Sequence, residues 1–306
     1  MVEQVAPPLS TTKPKRNRFS MSQRDKMLGY FLVAPVVICL SILVIYPFFF
    51  AIWISFTDRM IGQGGSFVGL ANYRYLINWI DFQATVRNTI VLVTGVQSLK
   101  LVLGLSIALL LNQEIRGRRL WRSLILIPWA MPGFVAFITW KLLLVPQGGA
   151  LNYILLQTGL ADTYVDFLGT KALAMPSVIT ASFWRGFPFW VISFLAALQN
   201  VPQELYEAAA IDGAGPWQRF RHVTVPNIRH VVLVVVLLST IWTTNSFEAV
   251  WLMTQGGPSN ATMTFPVLAY FGLQNLRIAE AASVSVSMLP IFGFLAFIVA
   301  KLLQED

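Results

Sequence analysis

The sequence predicts an all-α membrane protein with six transmembrane helices and a polar helical loop on one side of the bilayer. Hydrophobic residues make up 56% of the 306 residues and charged residues 12%, whereas soluble domains carry about a quarter charged residues. The apolar residues fall into six long runs, and lysine and arginine cluster in a few of the stretches between those runs. Together these observations place the chain in a bilayer.

The six apolar runs are long enough to cross a membrane. A hydrocarbon core of about 30 Å needs roughly 20 apolar residues in a helix. The runs that meet this length cover residues 28–56, 89–111, 123–145, 174–198, 231–253 and 281–303, after a basic tail over residues 1–27. Two shorter apolar runs, 152–160 and 263–276, are predicted to lie at the outer interface.

The distribution of basic residues predicts the orientation, because loops rich in lysine and arginine stay on the cytoplasmic side. The predicted cytoplasmic basic residues are Lys13, Lys15, Arg16, Arg18, Arg24, Lys26, Arg116, Arg118, Arg119, Arg122, Arg219, Arg221, Arg229 and Lys301. Both termini and the loop over residues 200–228 are therefore expected in the cytoplasm. The net charge of +8 fits this topology and contact with anionic lipid, and no nucleic-acid partner is expected.

Catalytic and metal-binding residue patterns are sparse. The one cysteine, Cys39, lies in the first apolar run, which leaves neither an internal disulfide nor a cysteine metal site. The two histidines, His222 and His230, are not placed to activate a serine at membrane depth. We therefore expect a non-catalytic chain without a metal site.

The loop over residues 200–228 contains the stretch EAAAIDGAGPWQRFRHVTVP at 207–226. A helix is predicted up to Asp212, followed by a turn at Gly213 and Gly215, which tolerate positive φ. Pro216 is expected to open a second helix and Pro226 to end it. On residue chemistry alone, this loop is either a solvated surface loop or a docking site for a soluble partner.

The same stretch resembles a signature of known permeases. The pattern begins Glu-Ala-Ala, continues Asp-Gly-Ala and ends with an aromatic residue and an aliphatic–proline pair. Its places are occupied here by Glu207, Ala208, Ala209, Asp212, Gly213, Ala214, Phe220, Val225 and Pro226. Further support comes from FVGLANYRYLI at 67–77, GLSIALLLNQEIRGRRLWRSLILIPWAMPGFV at 104–135 and LMTQGGPSNAT at 252–262. The chain resembles the integral-membrane permeases of carbohydrate-uptake ABC importers, of the maltose and glycerol-3-phosphate permease type.

The resemblance implies a function and a set of partners. Loop 200–228 would be the coupling helix that seats on a cytoplasmic ATPase, and the chain would form a pathway for a sugar or sugar derivative across a bacterial inner membrane. The implied partners are a second permease subunit, expected as a heterodimer, two ATPase subunits and an extracytoplasmic solute-binding protein. The sequence has no G-x-x-x-x-G-K-[ST] motif, so ATP and Mg²⁺ are expected on the ATPase and no cofactor on this chain.

Ionisable residues inside the apolar runs are candidates for the substrate pathway, because burying them in a bilayer is costly. Arg185, Glu248 and Lys100 are such residues. The spacing of Thr240, Thr244, Glu248, Trp251 and Gln255 predicts one face of a helix, and Trp184, Phe187 and Trp190 surround Arg185 with aromatic surface suited to sugars. Two interpretations stay open: Arg185 and Glu248 contact the substrate, which would favour an anionic sugar, or they form a structural ion pair.

A second function class remains open at this point. Glu248, Arg185 and Lys100 are the residue types that a proton relay uses, so the chain alone would then be a proton-coupled secondary transporter. The requirement for ATP separates the two classes.

Overall fold

The computed structural model describes residues 23–304, and the side chains from Lys26 onward. Most of the predicted basic tail, including Lys13, Lys15, Arg16 and Arg18, lies outside the described residues. Within the described range the helices run as follows: α1 Gln23–Leu40, α2 Tyr46–Ser55, α3 Ala71–Asn78, α4 Ile80–Asn112, α5 Arg118–Ile125, α6 Ile127–Ala130, α7 Gly133–Leu143, α8 Ala150–Gln157, α9 Lys171–Gln199, α10 Gln203–Ile211, α11 Pro216–Arg219, α12 Val225–Thr244, α13 Phe247–Met253, α14 Phe265–Gln274, α15 Ile278–Val286 and α16 Leu289–Gln304. Two π-helical turns, Ser41–Ile45 and Phe220–Thr224, join α1 to α2 and α11 to α12.

The described residues divide into two compact units, with the boundary between Phe50 and Ala51. In the first unit the apolar side chains of the helix face outward, as Phe31 and Leu43 illustrate. Such a helix suits a bilayer, where apolar surface needs no protein cover. The second unit contains the helices and cavities described below.

Five helical runs are long and apolar enough to cross a membrane: Lys26–Ser55, Ile80–Asn112, Lys171–Gln199, Pro216–Thr244 and Ile278–Gln304. The predicted span over 123–145 is instead a bent pair, Arg118–Ala130 and Gly133–Leu143, with an angle of 90° between its parts. Met131 and Pro132 are extended at the bend. Proline disfavours helical backbone at the residue before it and cannot donate a backbone hydrogen bond, which explains the break.

The predicted span over 231–253 is also interrupted. Its helix ends at Thr244, and α13 begins after Asn245 and Ser246. The Asn245 side chain donates to the Ile241 carbonyl at 2.8 Å, a local bond that competes with helix continuation.

At its other end this helix continues through Pro226, so the prediction that Pro226 ends a helix is wrong. The π-helical turn lies directly before the proline, and the Val225 N–H bonds to the Phe220 carbonyl five residues earlier. Pro226 lies in the first turn of α12. The wider π turn lets the helix accommodate a residue that lacks the N–H and whose ring crowds the preceding turn.

The second unit is built around the pair α4 and α9, which pack closely. A Cβ on Gly104 would lie 3.1 Å from the Trp190 Cβ, and one on Gly95 would lie 2.8 Å from the Ile179 Cδ1. Small residues let helix backbones approach in membranes, where packing replaces the hydrophobic driving force. The close packing against α4 therefore positions α9 and the polar residues that it carries.

Two shorter helices correspond to the apolar runs predicted at the outer interface. They are α8, Ala150–Gln157, and α14, Phe265–Gln274. The second is too short to span and packs on α15, with Val267 fully buried. Their depth in the bilayer stays a prediction.

The turn between α13 and α14 is fastened to α4. The Asn260 carbonyl accepts a bond from Asn88 Nδ2, and Asn260 Nδ2 donates to Asp81 Oδ1, both at 2.7 Å. Asn260 has a φ of 61°, a left-handed conformation that asparagine tolerates better than most residues. The LMTQGGPSNAT stretch is therefore a fixed turn.

Candidate functional site

A cavity of about 110 Å³ lies where α4, α9 and α12 meet the two helix breaks. We call it the polar cavity. Its lining residues are Lys100, Trp129, Phe137, Ser182, Arg185, Gly186, Phe189, Ser239, Trp242, Thr243 and Ser246. Two cations, four hydroxyls and four aromatic rings thus surround one space inside an otherwise apolar set of helices.

One wall of the polar cavity is a hydrogen-bonded chain between α4 and α12. Lys100 Nζ donates to Ser239 Oγ at 3.2 Å, and Ser239 Oγ donates to Gln97 Oε1 at 3.0 Å. Gln97 Nε2 in turn donates to Thr243 Oγ1 at 3.1 Å. Lys100 is only 6% exposed, so these hydrogen bonds orient a buried ammonium group toward the cavity.

Another part of the lining is Arg185 on α9. Its Nε is buried without a hydrogen-bond partner, as is the neighbouring Ser182 Oγ. The guanidinium lies 5.9 Å from the centre of the Phe137 ring, within the range of a cation–π contact. Arg185 therefore retains unused hydrogen-bond donors next to the cavity.

Glu248 lies near Arg185 and also against the first residue of α7. Its Oε2 is so close to Gly133, the first residue of α7, that a Cβ there would overlap it. The N-terminus of a helix has free N–H groups and favours negative charge. The start of α7 is therefore a favourable position for the Glu248 carboxylate.

Arg185 and Glu248 do not form the ion pair that one of the two open interpretations requires. Among residues 23–304, an ion pair within 4.0 Å is formed by Arg277 and Glu280, at 3.2 Å, and not by Arg185 with Glu248. The interpretation of a structural ion pair is therefore wrong for this structure, and Arg185 lines the cavity.

The predicted helix face from Thr240 to Gln255 is not formed. The helix ends at Thr244, and Gln255 lies in a turn with a φ of 52°. Thr240 and Thr244 line a separate apolar groove of about 610 Å³. Trp251 packs among aromatic rings, with its ring centre 4.7 Å from that of Tyr270. Residues at this spacing share one face only in an unbroken helix, and this helix is interrupted at Asn245 and Ser246.

The aromatic residues predicted around Arg185 serve packing. Trp184 lies edge-to-face with Trp140 at 5.9 Å, and Phe187 stacks on Phe183 at 5.4 Å. Trp190 is fully buried in the core. These three residues do not line the polar cavity.

Several cavity residues were missed by the sequence analysis, namely Trp129, Phe137, Ser182, Gly186, Phe189, Ser239, Trp242, Thr243 and Ser246. A usable signal was present for some of them. Ser239 and Thr243 are four residues apart and share a helix face, and the pair Asn245–Ser246 is typical of a helix end followed by a helix start.

Loop 200–228 folds as two short helices joined by a tight turn. The Gly213 N–H bonds to the Ala210 carbonyl at 3.1 Å, and the Ala214 N–H bonds to the Ala209 carbonyl at 2.9 Å. With a φ of 80° at Gly213, these bonds form a Schellman motif at the end of α10. The Asp-Gly-Ala part of the signature therefore forms the turn that ends α10.

The loop presents a mixed apolar and acidic surface, which we call the coupling surface. It consists of Glu207, Ala208, Ile211, Asp212 and Trp217, all exposed. Ile211 is 87% exposed and Trp217 69%. Large apolar side chains this exposed, next to acidic residues, are available for contact with a protein partner.

The other signature residues support this surface. Ala209, Ala214 and Phe220 are half-buried, and the ring of Phe220 stacks on that of Trp217 at 5.4 Å. A hydrogen bond of 3.0 Å between the hydroxyls of Tyr206 and Thr224 ties α10 to the π-helical turn before Pro226. These contacts therefore connect α10, α11 and the π-helical turn within the loop.

Comparison with known proteins identifies the family. Residues 100–306 match the family model described as "Binding-protein-dependent transport system inner membrane component". The chain is 35% identical over 267 residues to the trehalose/maltose transport system permease protein MalF of Thermococcus litoralis, covering 86% of this chain and 90% of that protein. It is 32% identical over 279 residues to the sn-glycerol-3-phosphate transport system permease protein UgpA of Yersinia pestis, covering 90% and 92%.

Solved structures show the same fold. A bacterial ABC transporter involved in the import of the acidic polysaccharide alginate matches with a TM-score of 0.76 and 21% identity, covering 91% of this chain and 96% of that chain. The alginate transporter in complex with its alginate pentasaccharide-bound periplasmic protein matches with a TM-score of 0.77. The predicted all-α permease fold and the family resemblance are confirmed. The chain belongs to the family of inner-membrane components of binding-protein-dependent transport systems and is an integral-membrane permease subunit.

Proposed function

We propose that this permease forms half of the transmembrane pathway of an ATP-driven importer for a sugar or sugar derivative. It works beside a second, different permease subunit, two ATPase subunits that bind ATP and Mg²⁺, and an extracytoplasmic solute-binding protein. Both termini and loop 200–228 face the cytoplasm of a bacterial inner membrane. The chain itself carries no catalytic residue.

The observation that carries this proposal is the coupling surface. Ile211 and Trp217 are the most exposed large apolar side chains of loop 200–228. Glu207 lies one helical turn before Ile211, and Asp212 follows it directly. Exposed apolar side chains gain free energy when a partner covers them, and the acids offer charge-assisted bonds at the rim. An ATPase groove of matching shape is the partner that such an importer requires.

The relatives support the substrate class. MalF is a trehalose/maltose permease protein and UgpA an sn-glycerol-3-phosphate permease protein by name, and the solved fold relatives import alginate. A carbohydrate or its derivative is common to these proteins. The aromatic and hydroxyl lining of the polar cavity suits such a ligand, because sugars offer both apolar ring faces and hydroxyl groups.

The test uses the complete transporter in vesicles loaded with ATP. Ile211→Glu places a charge at the centre of the coupling surface, and we expect it to abolish copurification of the ATPase and solute uptake. Leu160→Glu is a matched control, because Leu160 is similarly exposed, at 76% against 87% for Ile211, and lies outside loop 200–228. Unchanged ATPase binding in Ile211→Glu would contradict the assigned docking site.

The same vesicles separate the importer from a proton-coupled transporter. An importer requires ATP and the solute-binding protein, whereas a proton-coupled carrier requires only this chain and a pH gradient. Uptake by the isolated chain under a pH gradient, without ATP, would overturn the proposal.

A further inference from the structure

We infer that the polar cavity binds an acidic group of the substrate, so that the solute is a sugar carrying carboxylate or similar acidic groups. This inference rests on the proposed function, since it names the substrate class of the same pathway. It is carried by the charge balance, the free hydrogen-bond donors and the size of the cavity.

The charge balance of the cavity is positive. Lys100 and Arg185 line it from α4 and α9, and in the described part of the chain neither has a carboxylate within 4.0 Å. The Glu248 carboxylate lies near Arg185 at the start of α7, but it is not part of the lining. Buried charges in membrane helices are normally paired. The lining itself holds two cations and no carboxylate, which favours an anion in the cavity.

The donors of the cavity match an acidic oxygen group. An ammonium group has three N–H donors and a guanidinium five. Lys100 gives one donor to Ser239, while Arg185 Nε and Ser182 Oγ are buried without partners. Hydrogen bonds between charged donors and carboxylate oxygens are among the strongest in proteins.

Gly186 leaves room for this arrangement. A Cβ at this position would lie 2.6 Å from Lys100 Nζ, so any larger residue would displace the ammonium. The cavity measures about 110 Å³, whereas pockets for whole small molecules usually measure about 300–1,000 Å³. It therefore suits one substituent of a sugar, with Trp129 and Trp242 next to it for the apolar ring face.

The test compares two probes that differ only in charge. A disaccharide of hexuronic acids and the neutral disaccharide made by reducing its carboxyl groups are titrated against the assembled transporter in lipid nanodiscs, without the solute-binding protein. We expect the acidic probe to bind at least about tenfold more tightly. Equal affinity of the two probes, or no binding of either, would overturn the inference.

Variants locate the preference. Lys100→Gln and Arg185→Gln should each reduce the ratio of affinities to near one, whereas Lys100→Arg and Arg185→Lys should keep most of it. Lys141→Gln is the control, because Lys141 is an exposed lysine on α7 outside the cavity. If the Gln variants fail to assemble, the ratio measured on the unaltered transporter decides alone.

Two further arms distinguish other outcomes. If sodium sulfate or sodium chloride displaces the acidic probe at equal concentration, the cavity holds a free anion and the inference on substrate class fails. ATP-dependent uptake of a neutral sugar, with no preference for the acidic probe, would refute the inference and leave the proposed function standing. Absence of any ATP-dependent uptake would instead refute the proposed function.

Discussion

Gly133 lies against the carboxylate of Glu248, so closely that a methyl group on the glycine would overlap Oε2. The same Cβ would come within 3.3 Å of Arg185 Nη2. Because residue 133 is a glycine, the Glu248 carboxylate on α13 and the Arg185 guanidinium on α9 can both lie next to the start of α7. This contact joins the two helix breaks, since α7 follows one and α13 follows the other.

Gly133→Ala should destabilise the permease by about 1–3 kcal/mol, the usual cost of overpacking a tight contact. The added methyl group forces the carboxylate away from the helix start. Thermal unfolding of the purified complex measures the loss, and Gly293→Ala, where a Cβ meets open space, should be neutral or slightly stabilising. In a Glu248→Ala background the effect of Gly133→Ala should largely disappear, and full additivity would contradict the contact.

Exchanging the charges of Arg185 and Glu248 should not restore function. Arg185→Glu combined with Glu248→Arg would place a cation at the start of α7, where the helix dipole disfavours it, and would remove a cation from the polar cavity. Assembly and uptake are compared with those of the two single variants. Recovery to near the unaltered level would mean that the two residues act as a simple ion pair.

Gly213→Ala should weaken attachment of the ATPase. A φ of 80° is unfavourable for alanine by roughly 1–2 kcal/mol, so the Schellman turn would open and Asp212 would move. Gly213→Asn should retain more binding, because asparagine tolerates this conformation. Copurified ATPase per permease is the measurement, and equal binding in both variants would argue against a role for the turn geometry.

Asn260→Ala should loosen the turn between α13 and α14. The substitution removes the bond to Asp81 and places alanine at a φ of 61°. Leaving Asp81 without its partner costs about 1–3 kcal/mol. Asn260→Gly keeps the backbone conformation and loses only the side-chain bond, so it should lie between alanine and the unaltered protein in protease resistance of this turn. No difference among the three would show that the turn is held elsewhere.

The fold and the coupling loop could be predicted from the sequence, because both depend on local signals. Long apolar runs indicate spans wherever the bilayer is the solvent. The Gly213 turn was predicted correctly, since few residues other than glycine adopt its backbone conformation. The π-helical turn before Pro226 carries no comparable signal, because a proline in the sequence indicates a helix end equally well.

The polar cavity was only partly predictable. Lys100 and Arg185 were recognised because charge inside an apolar run is conspicuous. Lys100 and Ser239, which are 139 positions apart and hydrogen-bonded, meet only through the packing of α4 on α12. Residue spacing predicts which side chains share a helix face, but it does not predict where a helix breaks or which helix faces another.

The helical run from Pro216 to Thr244 connects the coupling surface to the polar cavity. It has 29 residues, which at about 1.5 Å each makes a rod of roughly 40 Å. Trp217 stands at one end, and Ser239 and Thr243 stand near the other. Ser239 is the hydrogen-bond partner of Lys100, so in the proposed importer a partner that moves Trp217 would act on the same helical run that holds the Lys100 ammonium group.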